Sequence, residues 1–263
     1  MAAVNTRDPR VAPAAARFGE VAPDYERGRP GYPAAVLDEL VTRTGLGPGV
    51  TVLDLAAGTG KLTRQLVALG ADVGAIEPSA GMRDQLEASV PGVPVFDGTA
   101  EAIPVADGSI DVVTVAQAFH WFSTRPALDE LARVLRPGGW LALVWNEPPK
   151  AGWARELWDL RHRLTGFTGD YPGRGWEAVL DADDRFGYRL VTTVVTPVST
   201  TVASELDDSA SRSYVHTLGE AQLRAVLDEL SDFLAEHPDV AGGDNLSYER
   251  PCTLHLCKRT RSA

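Results

Sequence analysis

The chain has 263 residues, 44% hydrophobic and 23% charged, and a formal net charge of −11 at pH 7. That length can bury a full core as one domain with a cap built from insertions. The acidic excess repels a phosphate backbone, which argues against nucleic acid as a partner. No apolar run approaches the roughly 20 residues needed to cross a bilayer, so a soluble, cytoplasmic protein without a membrane partner is expected. Residues 1–17, rich in Ala, Pro and Arg, lack the apolar stretch of a secretory signal and read as a disordered tail before a single domain over 18–263.

Phe18 to Pro33 is a turn-rich segment carrying Phe18, Tyr25 and Tyr32, and an amphipathic helix follows through Val36, Leu37, Leu40 and Val41. Thr51 to Leu55 is short, apolar and partly β-branched, as a strand buried on both faces should be, and Leu62, Leu66 and Leu69 then recur at helical spacing. Gly58 and Gly60 lie in the turn between them, where small residues let the backbone approach a ligand at the strand's carboxyl end. A dinucleotide fingerprint needs a third glycine where Thr63 stands. The next strand, Val73 onward, ends in Glu77, whose carboxylate can accept from both hydroxyls of a ribose, that of NAD or of S-adenosylmethionine.

Ser79 is placed to cap a helix containing Met82 and Leu86, and Val93 to Phe96 forms a third strand. Right-handed crossovers then make a doubly wound parallel sheet, with Asp97 to Ile103 on the ligand side and the backbone of Ala100 and Glu101 in reach of an adenine edge. A fourth strand, Asp111 to Ala116, runs into Gln117-Ala118-Phe119-His120-Trp121-Phe122. This junction is the expected acceptor pocket. His120 can serve as a general base toward a hydroxyl, or only orient substrate or hydrogen-bond within the core, with Trp121 beside it.

Ser123 or Thr124 caps the next helix, Pro126 suits its first turn, and Pro137-Gly138-Gly139 is expected to end it. A fifth strand over Trp140 to Trp145 delivers Asn146, a candidate substrate contact. Residues 151–187 and 203–245 read as lid or substrate pocket, with a helix from Trp153 to Phe167 and another through Leu223, Leu230 and Leu234 that stops near His237-Pro238. Tyr188 to Thr201 is a sixth strand. Arg212, Tyr214 and His216 can reach a substrate carboxylate or hydroxyl, or else form a helix end tied down by hydrogen bonds. Thr253 to Cys257 is the last strand. Its odd spacing puts Cys252 and Cys257 on opposite faces as buried free thiols, and no metal site is expected.

Four segments in order carry a family resemblance: Asp54 to Gly60; Glu77-Pro78-Ser79 followed by Met82; Gly98 to Pro104 leading to Asp107-Gly108-Ser109-Ile110-Asp111; and Leu135-Arg136-Pro137-Gly138-Gly139. At these spacings the chain, over about Phe18 to Trp145, resembles the class I S-adenosylmethionine-dependent methyltransferases of the small-molecule type 11 group. Ala56 stands where that family usually has its first loop glycine, and Thr99 where Asp is common. The resemblance implies a Rossmann-like seven-stranded sheet whose last strand is antiparallel and lies between the fifth and sixth, with helical lid insertions.

It also implies S-adenosyl-L-methionine as cofactor and S-adenosyl-L-homocysteine as product. Tyr25 and Arg29 are then expected at the methionine end, Asp54, Ala56, Gly58, Thr59 and Gly60 in the loop, Glu77 at the ribose, Thr99, Ala100 and Glu101 at the adenine, Gln117 near the methyl, and Pro78 and Met82 as further cofactor contacts. The His-Trp-Phe sequence after Gln117-Ala118 resembles members that methylate carboxylates. A small-molecule acceptor with a carboxylate or hydroxyl oxygen leads, held by His120, Trp121, Asn146, Arg212 and Tyr214. Carbon or nitrogen acceptors, and a cofactor-binding protein without methyl transfer, are the alternatives. The Asn-Pro-Pro-aromatic motif of amino-methylating relatives is absent after the fourth strand. A monomer or homodimer is expected.

Overall fold

The computed structural model describes residues 22–167, 175–212, 214, 215, 218–243 and 245–260. Helices α1 (Ala22–Gly28) and α2 (Ala34–Thr44) precede an alternation of β1 (Thr51–Leu55), α3 (Lys61–Ala68), β2 (Asp72–Ile76), α4 (Ala80–Ser89), β3 (Val95–Phe96) and β4 (Ile110–Ala116). A 3₁₀ turn at Phe119–Trp121 leads to α5 (Arg125–Val134) and β5 (Leu135–Asn146). Then come α6 (Gly152–Thr165), α7 (Trp176–Asp181), β6 (Tyr188–Thr200), α8 (Val202–Ala210), α9 (Glu220–Glu236) and β7 (Leu246–Lys258).

The seven strands form one sheet in the order β3-β2-β1-β4-β5-β7-β6. Strands β1 to β5 pair in parallel, and β7 enters antiparallel between β5 and β6, as expected. Two-residue periodicity sorts the apolar side chains. Leu53, Leu55, Val113, Val115, Leu141 and Leu143 pack on one face with α5, whereas Val52, Val112, Ala142 and Val144 pack on the other with α2 and α3. Each such side chain adds about 1.5–3 kcal/mol over leaving it exposed, and covering both faces is what makes these strands nearly continuously apolar. A third cluster packs Trp153 and Leu157 of α6 against Val226, Leu230 and Leu234 of α9. Among the described residues no helix is long and apolar enough to cross a membrane.

The cysteines do take opposite faces, Cys257 with the α5 layer and Cys252 with the α2 and α3 layer. Burial pushes both thiols up to about 12. Native protein at pH 8 should therefore resist a thiol reagent that titrates both cysteines in denaturant. Fast native labelling would contradict this packing.

Three elements differ from expectation. The segment before α2 contains a helix, α1, which lies so close to α8 that a Cβ on Gly28 would stand 2.2 Å from the backbone nitrogen of Asp208. Helix α5 ends at Val134, and Pro137-Gly138-Gly139 lies inside β5 at a register slip between Ile110 and Val112. Gly138 donates to Arg259 O at 3.0 Å and Gly139 O accepts from Arg259 N at 2.9 Å, a pairing no local signal carries. Strand β7 begins at Leu246 rather than Thr253, because its first half pairs with β6 although it is polar and contains Pro251. Running antiparallel, that half carries Arg250 to the carboxyl edge of the sheet. Phe18 and His216 lie outside the described residues.

Candidate functional site

The site is built where β1, β2, β4 and β5 end. In the turn after β1, Gly58 has φ 58° and Gly60 has φ 84°. A Cβ on Gly60 would stand 2.9 Å from Leu86 Cγ, so this glycine lets α3 pack on α4; one on Gly58 would meet nothing within 4 Å, so the loop opens there onto free space. The non-glycine residues of positive φ among those described are Ala56 at 57° and Gln117 at 59°. They follow the neighbouring strands β1 and β4, and such conformations cost of order 1–3 kcal/mol each and cluster at functional sites. Ala56 occupies the position where the resembling family has glycine.

Glu77, directly after β2, accepts from Gly58 N at 2.9 Å through one oxygen and from Ser79 N at 2.9 Å through the other. Burial raises its pKa, and the two amides pull the other way. Each oxygen keeps a lone pair for a further donor. Pro78 beside it is exposed and Met82 is buried in α4. After β3, Ala102 N donates to Thr99 O at 3.1 Å, which closes a tight turn over buried Ala100 and leaves Glu101 exposed.

Asp54 lies beneath the loop rather than in it. Its Oδ2 accepts from Thr63 at 2.6 Å and its Oδ1 from Thr114 at 2.8 Å, so the carboxylate braces β1 against α3 and β4. Burial pushes its pKa up from 3.8 to about 6. The folded state thus holds this proton more tightly than the unfolded chain does, and the associated stability is present below about pH 4 and lost as pH rises through 6. Asp54→Asn should remove on the order of 3 kcal/mol of that pH dependence. Urea denaturation of both proteins at pH 4 and pH 7 measures it, and equal slopes would show that Asp54 titrates normally.

The N-terminal strap is tied to the loop through Glu26, which the sequence reading did not single out. Thr59 Oγ1 and Arg64 Nη2 donate to its carboxylate at 2.7 and 2.8 Å, and Lys61 Nζ donates to its backbone carbonyl at 2.7 Å. Asn146 Nδ2 donates to Gly31 O at 3.2 Å, which joins the strap to the end of β5. Arg29 lies 5.1 Å from the Tyr25 ring centroid and reaches Ser211 Oγ at 2.9 Å and Asp208 Oδ1 at 3.0 Å.

At the end of β4, Gln117 Nε2 donates to Asn146 O at 3.3 Å. The His120 ring lies 4.8 Å from Trp121 and 5.3 Å from Trp145, and Trp145 stacks on Trp176 at 5.8 Å. Burial pushes His120 down to about 4, so its imidazole is neutral at physiological pH. Trp145 Nε1 is buried without an acceptor among the described residues. Trp145 and Trp176 were legible only as apolar positions. Arg212 and Tyr214 belong to a buried network: Arg212 grips Asp208 through Nε and Nη2, and Tyr214 OH accepts from Arg161 Nε at 2.9 Å. The tied-down helix end is what Arg212 forms with Asp208, four residues earlier. Among the described residues no group of three or more His, Cys, Asp and Glu could hold a metal ion.

A methyltransferase-domain family matches residues 53–143, the stretch from β1 through most of β5. An uncharacterized methyltransferase of Mycobacterium tuberculosis is 40% identical over 234 residues, 88% of this chain and 90% of that one. An uncharacterized methyltransferase of Schizosaccharomyces pombe is 41% identical over 124 residues, 47% of this chain and 49% of its own length. Among solved structures, a putative type II methyltransferase from Anaeromyxobacter dehalogenans superposes with TM-score 0.62 at 22% identity, covering 89% of this chain and 97% of that one. A Haemonchus contortus N-methyltransferase solved with S-adenosylhomocysteine shares the fold at TM-score 0.53 and 13% identity, covering 98% of this chain and 61% of that one. With its glycine loop, its antiparallel β7 and a methyltransferase relative aligned over nearly its whole length, the chain belongs to the class I S-adenosylmethionine-dependent methyltransferases.

Proposed function

We propose that this chain transfers the methyl group of S-adenosyl-L-methionine to an oxygen of a small organic acid or hydroxylated metabolite, releasing S-adenosyl-L-homocysteine. The observation that carries the reading is the Glu77 carboxylate, held between Gly58 N and Ser79 N at the carboxyl edge of a doubly wound sheet. The residues present fit the cofactor. Glu77 retains lone pairs for two ribose hydroxyls, and the space over Gly58 admits a close ligand. The turn of Thr99, Ala100 and Glu101 offers backbone groups to an adenine, with Pro78 and Met82 alongside. Tyr25 and Arg29 sit on the strap that crosses the loop, near the methionine end, while Ala56, Thr59, Gly60 and Gln117 shape the floor above Asp54.

When bound, the cofactor supplies an electrophilic sulfonium methyl. The chain's own part is to hold the acceptor oxygen in line and keep water out, an effect worth about 7–11 kcal/mol in well-oriented systems. Trp121, Trp145 and His120 form the wall that does so, and Asn146 closes it toward the strap. A neutral imidazole pushed down to about 4 is a weak proton acceptor. That favours an oxygen that arrives ionised, a carboxylate, with His120 positioning it.

Isothermal titration with S-adenosylhomocysteine, with NAD as control, tests the cofactor, and S-adenosylhomocysteine production against a panel of carboxylic acids and phenols tests the transfer. Micromolar binding and turnover on a carboxylic acid are expected; tighter binding of NAD would overturn the reading. His120→Asn should keep more than about one-hundredth of wild-type kcat, because general-base catalysis contributes about 10²–10⁴-fold where it operates. A 10⁴-fold loss would return His120 to the role of base.

A further inference from the structure

Beside the site, among the described residues, buried guanidinium groups outnumber the carboxylates that meet them. Arg161 is 2% exposed, Arg250 5% and Arg212 7%, and with Arg29 they surround Asp208. Arg212 reaches it at 2.7 Å, Arg29 at 3.0 Å and Arg161 at 3.5 Å. Burial alone would push the Asp208 carboxyl up, but Arg212, Arg29, Arg161 and Arg250 together hold it well below its ordinary value. Glu205, the other acid of the cluster, is pushed up by burial and by Asp208. Two buried carboxylates thus face four guanidinium groups, and buried charge is costly unless it is paired.

The hydrogen bonds leave donors over. Arg250 donates through Nε to Glu147 O at 2.9 Å, and its Nη groups have no acceptor among the described residues. Arg161 uses Nε on Tyr214 and Nη1 on Ser209 and Asp208, and among the described residues its Nη2 has no acceptor. Glu147 follows the last residue of β5 and donates its N–H to Pro251 O at 2.8 Å. Arg29 is two residues from Gly31, which accepts from Asn146.

A cofactor carboxylate near Arg29 would meet one cation and leave the rest in excess. We propose that Arg161, Arg212 and Arg250 form an anion subsite that receives a carboxylate or phosphate of the acceptor, distinct from the oxygen that is methylated. Guanidinium forks suit both groups because each can be bound through two parallel N–H bonds. This rests on the methyl-transfer reading and narrows it: the acceptor is a small acid with at least two anionic groups, or an acid that also carries a phosphate. One anion anchors on the arginines while the other oxygen faces His120.

The test is calorimetric titration of the full chain, with and without saturating S-adenosylhomocysteine, using succinate, inorganic phosphate and the neutral analogue succinamide. Succinate or phosphate should bind at least 10-fold more tightly than succinamide, and the better of the two identifies the anchoring group. Arg250→Gln should weaken that binding at least 10-fold while S-adenosylhomocysteine affinity changes less than twofold. Among the described residues Arg250 donates one side-chain bond, so this variant should keep its unfolding midpoint; Arg250→Lys should restore part of the binding. Anions that bind no better than succinamide, or unchanged succinate and phosphate affinity in a folded Arg250→Gln, overturn the subsite. Anion binding that persists where S-adenosylhomocysteine binding is absent supports the subsite and overturns the cofactor reading alone.

Discussion

Asp208→Ala is expected to lower unfolding free energy by about 3–5 kcal/mol, the range for removing one partner of a buried ion pair. The side chain is buried and meets Arg29, Arg161 and Arg212 at 3.0, 3.5 and 2.7 Å, so its loss leaves uncompensated cations in a region of low dielectric. It also removes one of the ties between the strap and α8, since Arg29 on the strap and Arg212 beyond α8 share this acceptor. Burial opposes the ionised form and the arginines win, so the group's pKa lies below its ordinary value. The stabilisation is therefore present above about pH 4 and lost as the pH falls through the folded-state value. Urea denaturation at pH 7 and pH 3 measures both statements. A loss under about 1 kcal/mol at pH 7 would mean that solvent or another acid neutralises the arginines.

Glu77→Ala is expected to weaken S-adenosylhomocysteine binding by about 10²–10⁴-fold. Hydrogen bonds to a charged acceptor contribute about 1.5–3 kcal/mol each, and the proposed cofactor would place two ribose hydroxyls on this carboxylate. The variant also releases Gly58 N and Ser79 N, which hold the loop in its left-handed turn. Glu77→Gln separates the two effects: one amide oxygen survives as acceptor, so an intermediate affinity with an unchanged unfolding midpoint assigns the loss to the ribose. If calorimetry shows Glu77→Ala within fivefold of wild type, the nucleoside does not lie along β2.

The two variants differ in how far their sites could be read beforehand. Glu77 was legible because everything that positions it is local: an apolar run that ends, a small-residue turn, a carboxylate one strand later. The β-α-β alternation, the two-faced burial of β1, β4 and β5, and the opposite faces of Cys252 and Cys257 were legible for the same reason, as periodicities that need only neighbours in sequence. Asp54 was placed correctly at the end of β1, but its bonds from Thr63 and Thr114, 9 and 60 residues away, were not legible.

Asp208 was not legible at all. It reads as one more acid in a polar helix, and its meaning comes from Arg29 far upstream, Arg161 on α6 and Arg250 on β7. Trp145 and Trp176 likewise become a wall around His120 only because the chain after α6 folds back over β5. Strand β7 is the general case. Its segment Ser247 to Pro251 has neither alternation nor a strong preference for a strand, and it becomes one because β6 offers it a full ladder of partners. Sequence alone thus determined the β-α-β order of the sheet and the family, which rest on local pattern. The tertiary structure decided which side chains meet around His120 and Asp208, because burial and charge pairing depend on contacts between residues far apart along the chain.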